Sequence, residues 1–458
     1  MRLRRLPGEG APVAAPVPLT VAPGVEKVQP LRHLGLLRLT TIGINSVIGG
    51  GIFILPATVA ALLGAASIPA YLTAGLVVLG IGTVLGRLAA RFETSGGTYA
   101  YIEQAFGPLA GFLAGWLFWF ARTTAMGNLL NGAALYLGAL WPLLATPVPR
   151  AAVIVLAALL VTGLDIAGIR QAARAADLFA FLKVVPLVVV GLAGLLLVEP
   201  TRLVPHGAEA APFLRAVLLL MYAFTGFESM VVPAEESKNP RRDMPKALLA
   251  TVGCVCAIYL LVHVAALGAL PDLGSEKAPL ATLAAMEFGQ AGRLAITFAA
   301  ALSMAGCSLS SLLGGTRMVY AMSSARRIPS WFGALHPQSR TPVRAALLTG
   351  GIGTLLAIAG GYAFLAAISS GTRLVIFAAC CAACLLPDLR QGAPDAAAPR
   401  RRRGVRMAVP VLTGLAILVL LTRLEPREVL FGMIGIGFGV FLSLLAGRGQ
   451  RKEAREAS

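Results

Sequence analysis

The strongest constraint on this chain is its series of long apolar segments, each about as long as a membrane-spanning helix. An α-helix needs about 20 apolar residues to cross the roughly 30 Å hydrocarbon core of a bilayer. Such segments predict an all-α membrane protein with about 12 transmembrane helices, of which the third and eighth are long enough to tilt or to extend beyond the bilayer. In the 458-residue sequence they lie near 39–63, 67–91, 108–140, 149–166, 176–198, 213–233, 245–270, 293–323, 343–361, 363–386, 406–422 and 428–446.

The distribution of charge supports the membrane assignment and argues against nucleic-acid binding. Hydrophobic residues make up 57% of the chain, charged residues make up 13%, and the formal net charge is +18. Most Lys and Arg residues fall in the termini and in the loops of one side. The positive-inside rule places these loops, and both chain ends, in the cytoplasm. The "RRRR" run at 400–403 is therefore interpreted as a lipid-facing cytoplasmic loop.

The sequence predicts one polytopic domain between two tails. Residues 1–30 are rich in Pro, Gly and Ala and lack a continuous apolar core, which is typical of a disordered cytoplasmic tail. The polytopic domain covers 31–446, and 447–458 form a cytoplasmic C-terminal tail. The longest loop, Pro387 to Arg406, is too short for a soluble domain. Function is therefore expected among the helices, where polar residues and broken backbone are informative.

The first apolar segment contains the glycine run "NSVIGGGIFILP" at 45–56. Each glycine costs about 1 kcal/mol relative to Ala in a helix interior. Close helix packing would need small residues on one face only, whereas Gly49, Gly50 and Gly51 occupy three faces. We therefore predict an unwound centre, whose free backbone groups must face a cavity and a polar ligand.

A second interruption is predicted in the sixth segment, "YAFTGFESMVVP" at 222–233. Thr225, Gly226 and Glu228 lie at its centre, roughly as far into this segment as the glycine run lies in the first. Two interrupted helices at corresponding positions of two five-helix halves indicate the central site of a transporter.

Three motifs resemble the amino acid–polyamine–organocation (APC) permease family. They are "IGGGIFILP", "SGGTYAYIEQAFG" at 95–107 and "YAFTGFESMVVPAEESKNPRRDMPKAL" at 222–248. The resemblance covers nearly the whole hydrophobic region. It implies a leucine-transporter-type fold with two inverted repeats of five helices, near 38–198 and 213–386, and two extra helices near 406–446. It also implies alternating access around a site at the membrane midplane.

The same resemblance implies how an amino acid would bind. The carboxylate would contact the amides at 49–51, and the ammonium would contact carbonyls near Val47, Tyr222 and Thr225, since broken helices present both kinds of group. Many family members carry Ser where this chain has Gly50, so one hydroxyl contact is missing. Selectivity for the side chain is expected from pocket residues in the third and sixth helices. They are Thr124, Tyr222, Phe224, Gly226 and Phe227.

Lys183 has two interpretations. Its stem could lie along lipid while the ammonium reaches the cytoplasmic interface. Alternatively, the ammonium replaces a sodium ion between the carbonyl end of the first half-helix and the eighth helix, as the lysine at the matching position of related permeases implies. Burial disfavours the charged form, so this lysine could couple transport to protons or act as a fixed cation. The eighth helix offers Ser303, Cys307, Ser308 and Ser311 as partners.

Three further charged residues fall within apolar segments. Glu228 either acts as a functional group, which closes a gate or carries a proton, or accepts hydrogen bonds from the unwound backbone without changing charge. Arg122 and Arg373 need partners, because an unpaired arginine at this depth costs at least about 2.5 kcal/mol. Each forms either a structural contact, with Glu228 or a backbone carbonyl, or a contact with an extra anionic group on the substrate.

These features predict a secondary transporter of amino acids, proton-coupled or exchanging, in a bacterial inner membrane. The alternative is an amino-acid sensor or channel without coupled transport. An enzyme is disfavoured because no His/Asp/Glu cluster with metal-ligand spacing occurs, although Cys381 and Cys384 have the spacing of a redox pair. An ATP-driven pump is disfavoured because no phosphate-binding loop occurs. We predict no cofactor, metal or catalytic residue. The expected partners are an amino acid, membrane lipid and, for the coupled mechanism, protons.

Overall fold

The structure is a computed structural model that describes residues 35–89, 97–167, 172–205, 207, 209–228, 240–337, 339–386 and 400–456. The predicted tail at 1–30 lies outside the described residues. So do the start of the motif at 95–107, most of the loop after residue 386, and the segment 229–239 that follows the second predicted interruption.

Within these ranges the chain forms α-helices and short 3-10 turns, and no strand occurs among them. The α-helices are α1 (Leu36–Val47), α2 (Gly51–Leu63), α3 (Ser67–Ala89), α4 (Gly97–Phe106), α5 (Pro108–Leu140), α6 (Pro147–Ile166), α7 (Ala172–Gly194), α8 (Ala210–Phe224), α9 (Pro240–Ala269), α10 (Pro279–Ser324), α11 (Val343–Ala359), α12 (Tyr362–Leu385), α13 (Arg400–Leu421) and α14 (Pro426–Glu456).

The prediction of an all-helical membrane protein is confirmed. Among the described residues, six helical stretches are long and apolar enough to cross a bilayer, and four further apolar helices are shorter. Helices such as α6 also expose large apolar side chains, as expected for surfaces that face lipid. Leu156, Leu159 and Leu160 on α6 are 63–66% exposed.

Two long helices have the character expected of the third and eighth segments. α5 is 33 residues long, most of its side chains are buried, and it packs against α10, α11 and α12. α10 spans 46 residues and contains a kink at Gly289, whose φ of 63° lies in the left-handed region. The part before the kink accounts for the length of α10 beyond one membrane crossing.

Two predictions about the last two helices need correction or extension. The interpretation of 400–403 as a loop is wrong, since these arginines form the first turn of α13. At the C-terminus, α14 continues to Glu456, so the segment predicted as a tail begins as an extension of this helix.

The centre of the fold is built around α1, α2 and α8. α2 packs against α8, α1 packs against α9, and α3 packs against both α8 and α9. The two predicted interruptions therefore meet inside a ring of helices rather than at the lipid surface.

Candidate functional site

The first interruption lies between α1 and α2. α1 ends at Val47, Ile48 adopts an extended conformation with φ −69° and ψ 97°, and α2 begins at Gly51. The Ile48 amide donates the last α1 bond, to Ile44 at 2.9 Å, and Phe53 donates to the Gly50 carbonyl at 3.2 Å. No backbone bond is recorded from the amides at 49–51 among the described residues. These amides are therefore available to an anionic group at the N-terminus of α2.

The second interruption follows α8. Thr225 is extended, and Gly226 has φ +114°, a conformation that favours glycine. The amide and hydroxyl of Thr225 donate to the Tyr222 carbonyl at 3.1 and 2.7 Å. A Cβ atom at Gly226 would collide with the carbonyl oxygen of Ser46. The two interruptions are therefore in direct contact.

Glycine also permits the close approach of α2 to α8. A Cβ atom at Gly51 would lie 2.6 Å from the Cα atom of Ala223. By contrast, a Cβ atom at Gly49 would make an ordinary contact with Cys307, at 3.4 Å from the sulfur. Close packing thus requires glycine at Gly51, whereas it does not require glycine at Gly49.

Tyr259 on α9 connects the two interruptions. Its hydroxyl lies 2.9 Å from the Ala223 carbonyl and 3.3 Å from the Val47 carbonyl, and its side chain is fully buried. Sequence analysis missed this residue, because a single tyrosine in an apolar helix is usually interpreted as core. The only signal was its hydroxyl, which needs a partner when buried.

Lys183 on α7 lies at the carbonyl end of α1. It is 6% exposed, and its ammonium lies 3.5 Å from the Ile48 carbonyl and 3.4 Å from the sulfur of Cys307. The ammonium therefore does not extend to a lipid interface. A cation suits this place, because the C-terminal end of a helix carries partial negative charge.

Of the four residues that the sequence offered on α10, the one in contact with Lys183 is Cys307. Lys183 contacts the Cys307 thiol, whereas the buried hydroxyls of Ser303 and Ser308 have no hydrogen-bond partner among the described residues. Ser311 is also buried. Within one turn of Cys307, α10 therefore carries two buried hydroxyls that still need hydrogen-bond partners.

Glu228 and Arg373 form a buried ion pair. One Glu228 oxygen accepts the Gly226 amide at 2.8 Å, and the other lies 3.4 Å from Nε of Arg373. The side chains are 3% and 5% exposed. Arg373 also donates to the Ser369 hydroxyl at 3.1 Å. This geometry matches the interpretation in which Glu228 caps the interruption and Arg373 balances its charge.

Arg122 on α5 has a backbone partner on α10. Its Nη1 donates to the Ser310 carbonyl at 3.3 Å, and its guanidinium lies 4.9 Å from the centre of the Phe118 ring. Thr124, two residues later, donates its hydroxyl to the Phe120 carbonyl at 2.8 Å within its own helix. The Nη1 atom of Arg122 and the hydroxyl of Thr124 are therefore each bonded to a backbone carbonyl.

The aromatic residues of the second interruption face different neighbours. Tyr222 meets Tyr362 edge to face, with ring centroids 6.1 Å apart, and its hydroxyl lies 3.5 Å from the Ala125 carbonyl. Phe224 instead packs against Tyr259 at 5.3 Å. Phe227 packs against Phe377 on α12 at 5.8 Å. These three residues are thus not brought together around the glycine run.

Tyr362 on α12 is the second residue that sequence analysis missed. Its hydroxyl has no hydrogen-bond partner among the described residues and lies 3.3 Å from where a Cβ atom of Gly50 would be. Leu129 and Met304 are also within 3.4 Å of that point. The surroundings of Gly50 are therefore mainly apolar, with one free hydroxyl.

Comparisons with known proteins show that the chain is similar to transporters of amino acids. The model of the family described as amino acid permease matches residues 34–445. An uncharacterized transporter of Mycobacterium tuberculosis is 31% identical over 414 residues, which are 89% of this chain and 90% of that protein. A branched-chain amino acid permease of Bacillus subtilis is 28% identical, covering 84% and 86%. A serine/threonine exchanger of the same bacterium is 27% identical, covering 68% and 73%.

Proposed function

The chain belongs to the amino acid permease family, and on this premise we propose that it is a secondary active transporter of neutral amino acids that works by alternating access. The observation that carries the proposal is the direct contact between two interrupted helices, the first of which leaves the amides at 49–51 without a backbone partner among the described residues. This arrangement suits a zwitterion at the centre of a membrane protein.

We assign the helices to two inverted repeats, near 38–198 and 213–386, followed by α13 and α14. This assignment is supported by the position of the interruptions, each in the first helix of its repeat. Under it, the chain has twelve membrane crossings, with α1 and α2 together forming the first. Both termini lie in the cytoplasm of a bacterial cell, because the positively charged loops fall on that side.

The substrate carboxylate binds at the amides of residues 49–51, where the N-terminus of α2 contributes a favourable dipole. The ammonium binds carbonyls at the other faces of the two interruptions. The Tyr222 carbonyl already accepts two bonds from Thr225. The Tyr259 hydroxyl lies closer to the Ala223 carbonyl, at 2.9 Å, than to the Val47 carbonyl, at 3.3 Å. The carbonyls of Val47 and Thr225 are therefore better acceptors for the ammonium than that of Tyr222.

The pocket for the substrate side chain lies beside Gly50. Leu129, Tyr362 and Met304 lie at this point, Tyr222 packs against Tyr362, and none of these side chains is charged. An uncharged substrate side chain fits these surroundings. Two of the relatives are named for substrates of this class, one for branched-chain amino acids and one for serine and threonine. The other predicted pocket residues then support the pocket walls and do not contact the substrate. They are Thr124, Phe224, Gly226 and Phe227.

Lys183 is the coupling residue of the proposed mechanism. As an ammonium it stabilises the Ile48 carbonyl and the end of α1, and on losing its proton it releases that contact. Cys307 contacts the ammonium, and Ser303 and Ser308 lie within one turn of Cys307 on α10, so these three residues respond to the change. Sodium dependence is disfavoured, because the ammonium occupies the place that a sodium ion would need. Glu228 and Arg373 remain paired throughout.

The test is transport by the purified protein in liposomes, with a panel of labelled amino acids. We expect saturable uptake of neutral amino acids, stimulation by an inward proton gradient, and exchange against unlabelled substrate inside. Binding without flux would favour a sensor, and non-saturable flux would favour a channel. Either result would overturn the proposal.

Lys183→Ala tests the coupling assignment in the same assay. We expect the stimulation by the proton gradient to disappear while exchange at equal pH persists. Lys277→Ala is the matched control, because Lys277 is exposed between α9 and α10. Unchanged stimulation in Lys183→Ala would remove this residue from the coupling mechanism.

A further inference from the structure

Asn128 on α5 is a fully buried polar residue with two unsatisfied hydrogen-bonding atoms. Its side chain is 0% exposed, and neither its amide nitrogen nor its amide oxygen has a hydrogen-bond partner among the described residues. Both atoms lose their water on folding, so each one that stays unpaired costs free energy. Buried polar atoms are paired in the great majority of cases, and an unpaired amide therefore needs a physical explanation.

Asn128 lies on the side of α5 that faces the proposed side-chain pocket. Ala125 precedes it by three residues and Gly132 follows it by four, so the three residues share one face of the helix. The Ala125 carbonyl lies 3.5 Å from the Tyr222 hydroxyl. A Cβ atom at Gly132 would lie 3.0 Å from a ring carbon of Tyr362. The face that carries Asn128 is thus turned towards both tyrosines.

The two tyrosines connect Asn128 to the pocket. The Asn128 amide lies close enough to the Tyr222 hydroxyl to interact with it, although it forms no hydrogen bond there. The Tyr222 ring meets the Tyr362 ring edge to face. The Tyr362 hydroxyl, which also has no hydrogen-bond partner among the described residues, lies 3.3 Å from where a Cβ atom of Gly50 would be. One wall of the pocket therefore contains three unpaired polar atoms.

The neighbouring asparagine on α5 shows the contrast with a structural amide. The amide nitrogen of Asn131 donates to the carbonyls of Ala357 and Gly360, each at 2.8 Å. These bonds fasten α5 to the end of α11. Asn128 is equally buried, yet neither of its amide atoms makes such a bond. Helix packing does not explain Asn128, and its free amide favours contact with a ligand.

The opposite side of the pocket is apolar and close. A Cβ atom of Gly50 would lie 2.9 Å from Cδ2 of Leu129 and 3.4 Å from Cγ of Met304. The Tyr362 hydroxyl approaches the same point from α12. Only a small substrate side chain fits between these groups. Such a side chain has hydrogen-bonding partners on one side and apolar contacts on the other.

We propose that Asn128 is a specificity-determining residue, which selects small neutral amino acids whose side chain carries a hydroxyl group. A hydroxyl both donates and accepts hydrogen bonds. In the proposed complex it donates to the amide oxygen of Asn128 and accepts from the Tyr362 hydroxyl. The amide nitrogen of Asn128 then has the nearby Tyr222 hydroxyl as its acceptor. This inference rests on the proposed function, because it assigns the substrate side chain to the pocket beside Gly50.

Threonine fits these contacts better than valine does. The two amino acids have nearly the same shape, and they differ in a hydroxyl that valine replaces by a methyl group. The methyl group that both share packs against Leu129 and Met304. Valine leaves the amide oxygen of Asn128 and the Tyr362 hydroxyl unpaired and dry. A site built for a hydrogen bond rejects the analogue that lacks it more strongly than an apolar pocket rejects an added hydroxyl.

The test compares threonine with valine in liposomes that contain the purified full-length protein. We expect the wild type to exchange threonine with a kcat/KM at least about tenfold above that for valine. Asn128→Leu replaces the amide by an apolar group of similar size, so it should lower this ratio by about tenfold and raise the transport of valine. Tyr362→Phe removes only a hydroxyl, and it should lower the ratio by about threefold.

Asn131→Leu is the matched control. It removes a second buried asparagine from the same helix, at a position whose amide nitrogen is bonded to protein. We expect the ratio of threonine to valine in this variant to stay within about twofold of the wild type. Both substrates are measured in one preparation, so the ratio does not depend on the amount of folded protein. If Asn128→Leu gives no folded protein, Tyr362→Phe decides, since phenylalanine keeps the shape of the tyrosine ring.

The outcomes separate this inference from the proposed function. Saturable exchange with equal kcat/KM for threonine and valine overturns the inference and leaves the carrier intact. An unchanged ratio in folded Asn128→Leu, or in Tyr362→Phe when the first variant does not fold, also overturns it. The same holds for an equal fall of the ratio in Asn131→Leu, because the effect would then be structural. A wild type that transports no amino acid overturns the proposed function itself.

Discussion

The two interruptions differ in how they treat their free backbone groups. At the first, a cation lies at the carbonyl of Ile48, and the amides of α2 remain open. At the second, Glu228 caps the amide of Gly226 from within the same turn, and Arg373 balances its charge. The first therefore has room for an anionic group of a ligand, whereas the second has filled that role with its own carboxylate.

This difference explains why one glycine is not equivalent to another. The glycine run at 49–51 leaves amides exposed, and only Gly51 has a backbone atom of the partner helix against it. Gly226 has both a left-handed φ and the Ser46 carbonyl against its α-carbon. The first interruption is built for contact with a ligand, and the second for contact with the first.

Breaking the Glu228–Arg373 pair should give the largest effect. Arg373→Met leaves a buried carboxylate without its counter-charge, which costs about 3–5 kcal/mol in free energy of unfolding. Adding Glu228→Gln removes the uncompensated charge while keeping an acceptor for the Gly226 amide, so the double variant should recover most of the loss. Denaturant titration of the purified proteins in detergent measures the free energy of unfolding of the single and the double variant.

The control for this cycle is an exposed pair of similar chemistry. Arg327 lies 3.8 Å from Glu103, with side chains 41% and 39% exposed. Arg327→Met should change stability by less than about 1 kcal/mol, as surface pairs usually do. If the Arg373 variant were equally mild, the second interruption would not depend on its ion pair.

Gly226→Ala should give the next largest loss in free energy of unfolding. The added methyl group meets a backbone carbonyl and forces a left-handed residue, and together these cost roughly 2–4 kcal/mol. Gly163→Ala is a suitable control, because it lies within α6 and has no atom within 4 Å of the new methyl group. We expect that control to be neutral or slightly stabilising.

The contrast with the first interruption sharpens this result. Gly49→Ala makes only an ordinary contact with Cys307, so it should retain stability within about 1 kcal/mol. Its effect should appear instead as a raised KM for the amino acid, since the methyl group lies beside the free amides. Similar losses of stability in Gly49→Ala and Gly226→Ala would remove the distinction between the two interruptions.

Tyr259→Phe tests the connection between them. It removes one hydroxyl that contacts two buried carbonyls, and we expect a loss of about 1–2 kcal/mol in free energy of unfolding. Tyr136 offers a comparison. Its hydroxyl donates to the Phe53 carbonyl at 2.6 Å, away from the contact between the two interruptions. Tyr136→Phe should cost a similar amount of stability. A connecting role for Tyr259 requires that its variant, and not the Tyr136 variant, also alters amino acid binding.

The sequence predicted the interruptions because their signals are local. Three adjacent glycines cannot be explained by packing on one face. Gly226 is followed two residues later by Glu228, whose carboxylate can cap the Gly226 amide. The cation at Lys183 was also predictable, since a lysine inside an apolar helix needs a carbonyl or an anion. What was left open was its partner on α10, which is a thiol rather than a hydroxyl.

Residues that act across helices were harder to predict. Tyr259 and Tyr362 look like ordinary aromatic core residues until their hydroxyls are seen beside Val47 and Gly50. Which arginine would face Glu228 also depends on how α5 and α12 rotate about their axes, and sequence spacing within one helix carries no such information. Long-range packing therefore decides these contacts.

The smallest expected effect concerns the thiol beside Lys183. Cys307 lies 3.4 Å from the ammonium and 3.8 Å from the Ile48 carbonyl. A hydroxyl is a stronger acceptor for an ammonium and a stronger donor to a carbonyl than a thiol. Cys307→Ser should therefore stabilise the end of α1, by about 0.5–1 kcal/mol. It should also require a steeper proton gradient for the same uptake, because the ammonium is held more firmly.

Cys307→Ala has the opposite sign in the same comparison. It removes the thiol without replacing its contacts, so stability should fall by about 0.5–1 kcal/mol and proton-driven uptake should need a shallower gradient. Denaturant titration and uptake at a series of gradients measure the two quantities in the same preparations. Identical behaviour of the Ser and Ala variants would mean that the ammonium is held by the Ile48 carbonyl alone. The first interruption would then depend, like the second, on a single charged contact.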